Sequence, residues 1–314
     1  MRRIASSFTA IVVCFLISAG AVHAHETSAS KSPSELQLAS VNAAVAYADE
    51  DGDLVFGKNA ERQVPIASVT KLMTALVVME SGQSLNEWLE FRERHIPAPA
   101  NAYTRIRIGS ELKRGDMLRI ALMSSENLAT NVLAHHHPGG SAGFVVAMNT
   151  KAAALGMTRS RFVDPAGLSP DNRASAADVA KLVRAAYGYP EIRELSTRYQ
   201  HTARFRQPRY SLGYGNTNPL VASSRWRVDL TKTGYLREAG RCLAMVTEVD
   251  GRPLALVLLN SFGTRTPLGD AGRVRRWITT GDGGRIAGAA RDYERQQVEA
   301  LLQGTGSEVS TTAQ

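Results

Sequence analysis

The sequence predicts an α+β protein: an antiparallel sheet shared by the two ends of the chain, flanked by helices, with a helical insertion between those ends. Two strand-like runs lie near the start, residues 43–48 and 54–56, around the turn-forming stretch Asp49-Glu50-Asp51-Gly52. Three more lie late, at 228–235, 242–249 and 254–260, the last two joined across Asp250-Gly251, a strong hairpin signal. Between the two groups the apolar spacing is that of helices.

Taken in order, the chain opens with a basic head, Met1-Arg2-Arg3, then an apolar run over 11–19 and small residues in Val22-His23-Ala24. This reads as a secretory signal peptide cleaved after Ala24, since the run is too short to span a membrane comfortably. Cys14 follows Val13, where lipid attachment would want Gly, Ala or Ser. Loss of residues 1–24 removes Arg2 and Arg3 and no acid, so the formal charge falls from +8 to +6. It also leaves Cys242 as the one cysteine, so an exported chain would have no internal disulfide and must rely on its core. Nucleic acid is a poor partner for such a protein; a polyanionic wall or membrane surface suits its basic charge better.

Residues 25–40 are polar and Ser-rich, a leader. The folded region spans 41–281, ample for one large or two closely packed domains, and 282–314 is a tail. Within the folded region, Pro65 precedes a helix expected from Ser68 onward. Residues 81–110 are mixed, with Pro97 and Pro99 breaking regular structure. Residues 115–133 read as helices around a tight break. An Ala-rich helix over 141–155 ends at Gly156. Another, over 175–187, takes Ser175 as N-cap and Asp178 in its first turn. A closing helix covers 269–280, and 285–302 reads as a loose helix before a low-complexity end. No internal repeat is present.

Three short motifs carry chemistry. In Ser68-Val69-Thr70-Lys71, residues three apart share a helix face, which sets Lys71 beside the Ser68 hydroxyl. Serine is a poor nucleophile until a base takes its proton, and a desolvated lysine can be that base. First-turn N–H groups also favour negative charge there. Ser68 as a mere cap is the competing reading, but a capping box wants Glu or Gln where Lys71 stands. The pattern is weak alone: Ser28-Ala29-Ser30-Lys31 repeats it in a polar stretch without helix signals. Ser125-Glu126-Asn127 follows a helix break after Met123, and Lys232-Thr233-Gly234 lies in a strand, where Gly lets a ligand or backbone come close. Each has a bland alternative, as turn residues or a solvated lysine, and Ser40-Val41-Asn42 shows how cheaply the second arises.

Together, in this order, the three resemble the serine D,D-peptidases, the low-molecular-weight penicillin-binding proteins. The similarity covers roughly residues 40–280. Beyond the motifs it includes Phe162-Val163-Asp164-Pro165-Ala166-Gly167-Leu168, Asn216-Thr217-Asn218-Pro219-Leu220, Tyr235, and Ala239-Gly240-Arg241-Cys242. These look most like the periplasmic D-alanyl-D-alanine endopeptidase branch.

The resemblance implies a penicillin-binding-protein/β-lactamase-like fold, cleavage of D-alanyl bonds in peptidoglycan stem peptides, covalent inhibition by β-lactams, and neither metal nor cofactor. It implies that Ser68 forms an acyl-enzyme, Lys71 is the base, and Ser125 relays a proton to the leaving amine. Asn127 would hold the substrate amide. Lys232 and Thr233, with Gly234, would bind the substrate carboxylate, and the backbone N–H groups of Ser68 and Tyr235 would form the oxyanion hole. Two close ammonium groups in a half-buried cleft would depress each other's pKa and leave one neutral. D,D-carboxypeptidases of this kind often carry a further β-domain and an amphipathic anchor. Little follows Thr280, and Arg291 and Arg295 are offset by Asp292, Glu294 and Glu299, so the expectation is a cross-link endopeptidase, periplasmic and at most loosely membrane-associated.

Carboxypeptidase activity is the alternative. A β-lactamase would need a deacylating glutamate in an E-x-x-L-N pattern, which this chain lacks. A non-catalytic penicillin sensor is disfavoured by three intact motifs. His135-His136-His137 reads as a helix end, because consecutive residues point different ways and rarely converge on one ion. Cys242 reads as a core thiol, Trp226 and Trp277 as core or rim, and Asp164 as a loop-fixing group that could border the cleft.

Overall fold

The computed structural model describes residues 35–49, 52–93 and 103–309. The signal-peptide reading, most of the leader, Pro97 and Pro99 lie outside the described residues.

A five-stranded sheet is built from β1 (Ser40–Tyr47), β2 (Leu54–Lys58), β3 (Val228–Leu236), β4 (Gly240–Val249) and β5 (Arg252–Ser261), in the order β3-β4-β5-β1-β2. All neighbours run antiparallel. The two ends of the chain share it: β1 pairs with β5 from Ser40↔Ser261 to Tyr47↔Leu254. The β4–β5 turn takes positive φ at both Asp250 (49°) and Gly251 (76°), as a two-residue type I′ hairpin requires.

The helices α1 (Lys71–Glu80), α2 (Arg114–Met123), α3 (Asn127–His135), α4 (Gly140–Ala154), α5 (Ala176–Tyr187) and α6 (Pro190–Thr197) form the intervening layer. Their boundaries follow local chemistry. Ser175 accepts from Asp178 N–H at 3.1 Å to start α5, and Gly156 at φ 65° follows α4. Lys71 through Val78 of α1 are buried, so this helix is apolar nearly all round and carries no amphipathic stripe. The opposite face of the sheet is covered by α7 (Thr266–Thr280). Ala44 and Ala46 of β1 face the helical layer, while Ala43 and Val45 join Ala271 and Val274 of α7. Both faces are therefore buried, and β1 reads as one apolar run where a half-exposed strand would alternate.

Residues 190–227, for which the sequence offered little pattern, form α6, a hairpin of Gln200–Phe205 with Tyr210–Gly215, and a 3₁₀ turn at Pro219–Ala222. The loose helix of the tail is α8 (Gly288–Val309). It docks on the sheet through Tyr293, whose hydroxyl donates to Asn260 Oδ1 at 2.6 Å, and through a Glu294–Lys58 pair at 2.9 Å. Among the described residues, no helix is long and apolar enough to cross a membrane.

Candidate active site

The helix expected from Ser68 begins three residues later. A 3₁₀ turn over Ala67–Thr70 leads into α1 at Lys71. In a 3₁₀ turn residues i and i+3 eclipse, so Lys71 still meets Ser68, with Nζ 2.8 Å from Oγ. Ala67 is held at φ 48°, unusual for a non-glycine residue. Two glycines make room for it. A Cβ on Gly167 would lie 2.0 Å from Ala67 O, and one on Gly234 would lie 3.0 Å from Ser68 N and 3.1 Å from Ala67 Cβ.

Lys71 is fully buried, deeper than the half-buried cleft expected from sequence. Its Nζ also reaches Asn127 Oδ1 at 2.7 Å and Ala166 O at 2.6 Å, and both of these only accept. An ammonium donates to all three neighbours. A neutral amine has two N–H bonds, which the two obligate acceptors occupy, and its lone pair then faces the Ser68 hydroxyl.

Ala166 O is aimed by its loop. The Asp164 carboxylate accepts from the N–H groups of Ala166 (2.7 Å), Gly167 (2.7 Å), Leu168 (3.3 Å) and Ser169 (2.8 Å). Asn172 Oδ1 takes the N–H of Val163, and Thr74 Oγ1 donates to Pro165 O at 2.6 Å, fastening the loop to α1. Asp164 is thus a loop-fixing residue.

The second wall is the break between α2 and α3. Ser125 there adopts φ 62°, and Glu126 caps α3 by accepting from Leu128 N–H at 3.1 Å. That places Asn127 at the first position of α3, against Lys71. The third wall is β3, an edge strand of the sheet. Lys232 is buried and donates to Thr233 O at 2.8 Å. Burial, and secondarily the charge of Lys71, push its pKa well below the ordinary lysine value. Thr233 Oγ1 donates to Thr217 Oγ1 at 2.6 Å, and Thr217 N–H donates to Met123 O at 2.9 Å, which joins the second and third walls. The cleft, about 690 Å³, is lined by Ser68, Ser125, Asn127, Thr233, Gly234 and Tyr235 among others, and among the described residues no carboxylate lines it. Lys71 and Lys232 lie buried beneath its surface.

The site residues expected from sequence therefore line this cleft or lie buried beneath it. Two contributors were missed as individuals: the Ala166 carbonyl and the Thr217 hydroxyl. Their only signal was membership of the runs 162–168 and 216–220.

A sequence model described as D-alanyl-D-alanine carboxypeptidase, of the S11 peptidases, matches residues 27–263. The chain belongs to the S11 peptidase family. This S11 peptidase is 44% identical over 265 residues to a D-alanyl-D-alanine endopeptidase of Pseudomonas aeruginosa, covering 84% of this chain and 85% of that one. It is 42% identical over 276 residues to a D-alanyl-D-alanine endopeptidase of Escherichia coli, covering 88% and 89%. Its fold matches a cefotaxime-bound penicillin-binding protein of Listeria monocytogenes with a TM-score of 0.66 and 27% identity, over 79% of this chain and 98% of that one. The S11 peptidase's one described cysteine, Cys242, borders the same cleft, but its thiol is buried and its pKa is pushed up to about 12, which leaves it protonated and unreactive.

Proposed function

We propose that this S11 peptidase is a periplasmic serine D,D-endopeptidase that hydrolyses D-alanyl cross-links between peptidoglycan stem peptides. The observation that carries the reading is the 2.8 Å contact of Lys71 Nζ with Ser68 Oγ, with the other lysine N–H groups held by Asn127 and Ala166. The choice of cross-links over free termini rests on the two relatives named as endopeptidases.

Neutral Lys71 takes the Ser68 proton as Oγ attacks the D-alanyl carbonyl carbon. The carbonyl oxygen becomes an oxyanion facing the N–H groups of Ser68 and Tyr235, which the missing side chain of Gly234 allows to sit close together. Collapse breaks the C–N bond, and the proton from Lys71 reaches the leaving amine through the Ser125 hydroxyl. Water then cleaves the Ser68 ester and restores both groups. Thr233, with Lys232 buried beneath it, holds the carboxylate of the leaving residue, and Asn127 holds the substrate amide. As an edge strand, β3 offers unpaired backbone groups to an extended stem peptide. β-Lactams acylate the same serine, and without the deacylating E-x-x-L-N glutamate in the sequence, that adduct persists for minutes or longer.

The test is mass spectrometry of protein from a periplasmic extract treated with benzylpenicillin. The chain begins at His25 and gains one drug molecule on a peptide containing Ser68. Ser68→Ala takes none, and Lys71→Ala is acylated about 10²–10⁴-fold more slowly. Cross-linked dimers are split faster than pentapeptide loses terminal D-Ala. The reverse order would make the protein a carboxypeptidase, and a labelled Ser68→Ala would overturn the choice of nucleophile.

A further inference from the structure

The segment that carries Ser125 walls two hollows. Ser125 and Asn127 line the catalytic cleft, while their neighbours Ser124 and Glu126 line a separate hollow of about 250 Å³. Its other walls are Tyr103, Arg105 and the run Gly213-Tyr214-Gly215. The same run also lines a hollow of about 430 Å³ with Gln200, His201 and Thr202. The strand Tyr210–Gly215 thus carries a surface that begins beside Ser125, where Ser124 Oγ donates to Gly215 O at 2.6 Å, and extends along the strand for about 20 Å.

Gly213 and Gly215 leave this surface open, since a Cβ on either would meet nothing within 4 Å. Arg105 is fixed at its rim. Its Nη2 donates to Gly213 O at 2.6 Å, and its guanidinium lies 5.1 Å from the centre of the Tyr214 ring. Tyr103 is 81% exposed and presents its ring to solvent. Tyr214 is only 7% exposed, yet among the described residues its hydroxyl has no hydrogen-bond partner. Burial, and secondarily the charge of Glu126, raise its pKa, so it stays a neutral phenol that can both donate and accept. An unpaired buried polar group costs on the order of 1–3 kcal/mol, which favours a ligand that supplies the missing bond.

The lining selects the ligand. Arg105 and Glu126 cancel, so the smaller hollow has no net charge. In the larger one Gln200 and Thr202 are neutral, and burial lowers the His201 pKa. A neutral molecule rich in hydroxyl and amide groups fits, with an apolar face for the Tyr103 ring. A pyranose is built that way, with C–H groups on its faces and hydroxyls around its edge. The placement agrees. About four stem residues separate the scissile bond of peptidoglycan from the sugar, a reach of roughly 14 Å when extended, which falls within the length of the strand.

Resting on the D,D-peptidase reading, we propose that this surface is a sugar-binding subsite for the N-acetylated amino-sugar chain to which the stem peptide is attached. The protein then grips its substrate twice, the peptide in the cleft and the glycan along the strand Tyr210–Gly215.

The experiment compares wild type, Gly213→Leu and Tyr214→Phe on two synthetic cross-linked dimers of the same peptide, one bearing N-acetylglucosamine–N-acetylmuramic acid disaccharides and one bare. Wild type shows a KM about tenfold lower on the disaccharide dimer, with kcat within about twofold. Gly213→Leu, whose side chain enters open space, raises that KM to the bare value. Tyr214→Phe, which removes only the hydroxyl, raises it about threefold. Neither variant changes turnover of the bare dimer or acylation of Ser68 by benzylpenicillin. Equal wild-type KM on the two dimers would overturn the proposal, and so would a sugar preference that survives in Gly213→Leu. A penalty shared by the bare dimer would place peptide on this surface and overturn it as well. If the D,D-peptidase reading itself fails, neither dimer is cut by any variant and Ser68 takes no drug, an outcome distinct from these.

Discussion

Ala67 shows how the nucleophile is held. A non-glycine residue at φ 48° costs on the order of 1 kcal/mol or more, and here the neighbours that leave room for it are Gly167 and Gly234. The strand segment at Gly234 is in effect a spacer of zero thickness against the Ser68 amide. A methyl group there would meet Ser68 N at 3.0 Å and Ile66 O at 3.1 Å, both backbone atoms that cannot swing aside. Gly234→Ala is therefore expected to slow penicillin acylation about a hundredfold by displacing the oxyanion donors, with the fold retained. Acylation kinetics with a thermal melt of the same sample check this, and an unchanged rate would mean that the strand can retreat without cost.

At the scale of elements, the loop after Phe162 acts as a bracket. One carboxylate, Asp164, collects four backbone N–H groups so that Ala166 O points at Lys71. Asp164→Ala is expected to lower stability by about 2–3 kcal/mol and to slow acylation, since the carbonyl that orients Lys71 is released. Urea unfolding alongside acylation rates measures both. Much of this element structure was legible. Asp250-Gly251 announced its hairpin, Ser175 its cap, and the Ser68–Lys71 spacing survives whether the turn is 3₁₀ or α. What was not legible is imposed from a distance. The positive φ of Ala67 is accommodated by glycines about 100 and 167 positions away, which no local pattern reveals. The hairpin of Gln200–Phe205 with Tyr210–Gly215 buries Ala203, Phe205 and Tyr214, too few apolar positions to announce it.

Across the whole molecule, the buried Lys232 links the site to folding. Its folded pKa is well below 10.5, its value when exposed, so between those two points the unfolded chain binds the extra proton. Stability from this group therefore rises with pH in that window, by up to about 1.4 kcal/mol per unit, and is flat below it. Lys232→Met should lack this slope. Urea midpoints followed stepwise downward from pH 10.5 should show wild type losing ground to the variant, and parallel behaviour would refute it. The sheet has a consequence of another kind. Strand β1, the first described strand, pairs with β2 and with β5, which ends at Ser261. The wall that pins Ala67 is made of β3, which is likewise late. A chain emerging from its amino end thus exposes Ser68 and Lys71 long before it can arm them. The catalytic clamp closes only when β3 and β5 have arrived, so a chain cut short before them would hold Ser68 and Lys71 without the wall that positions them.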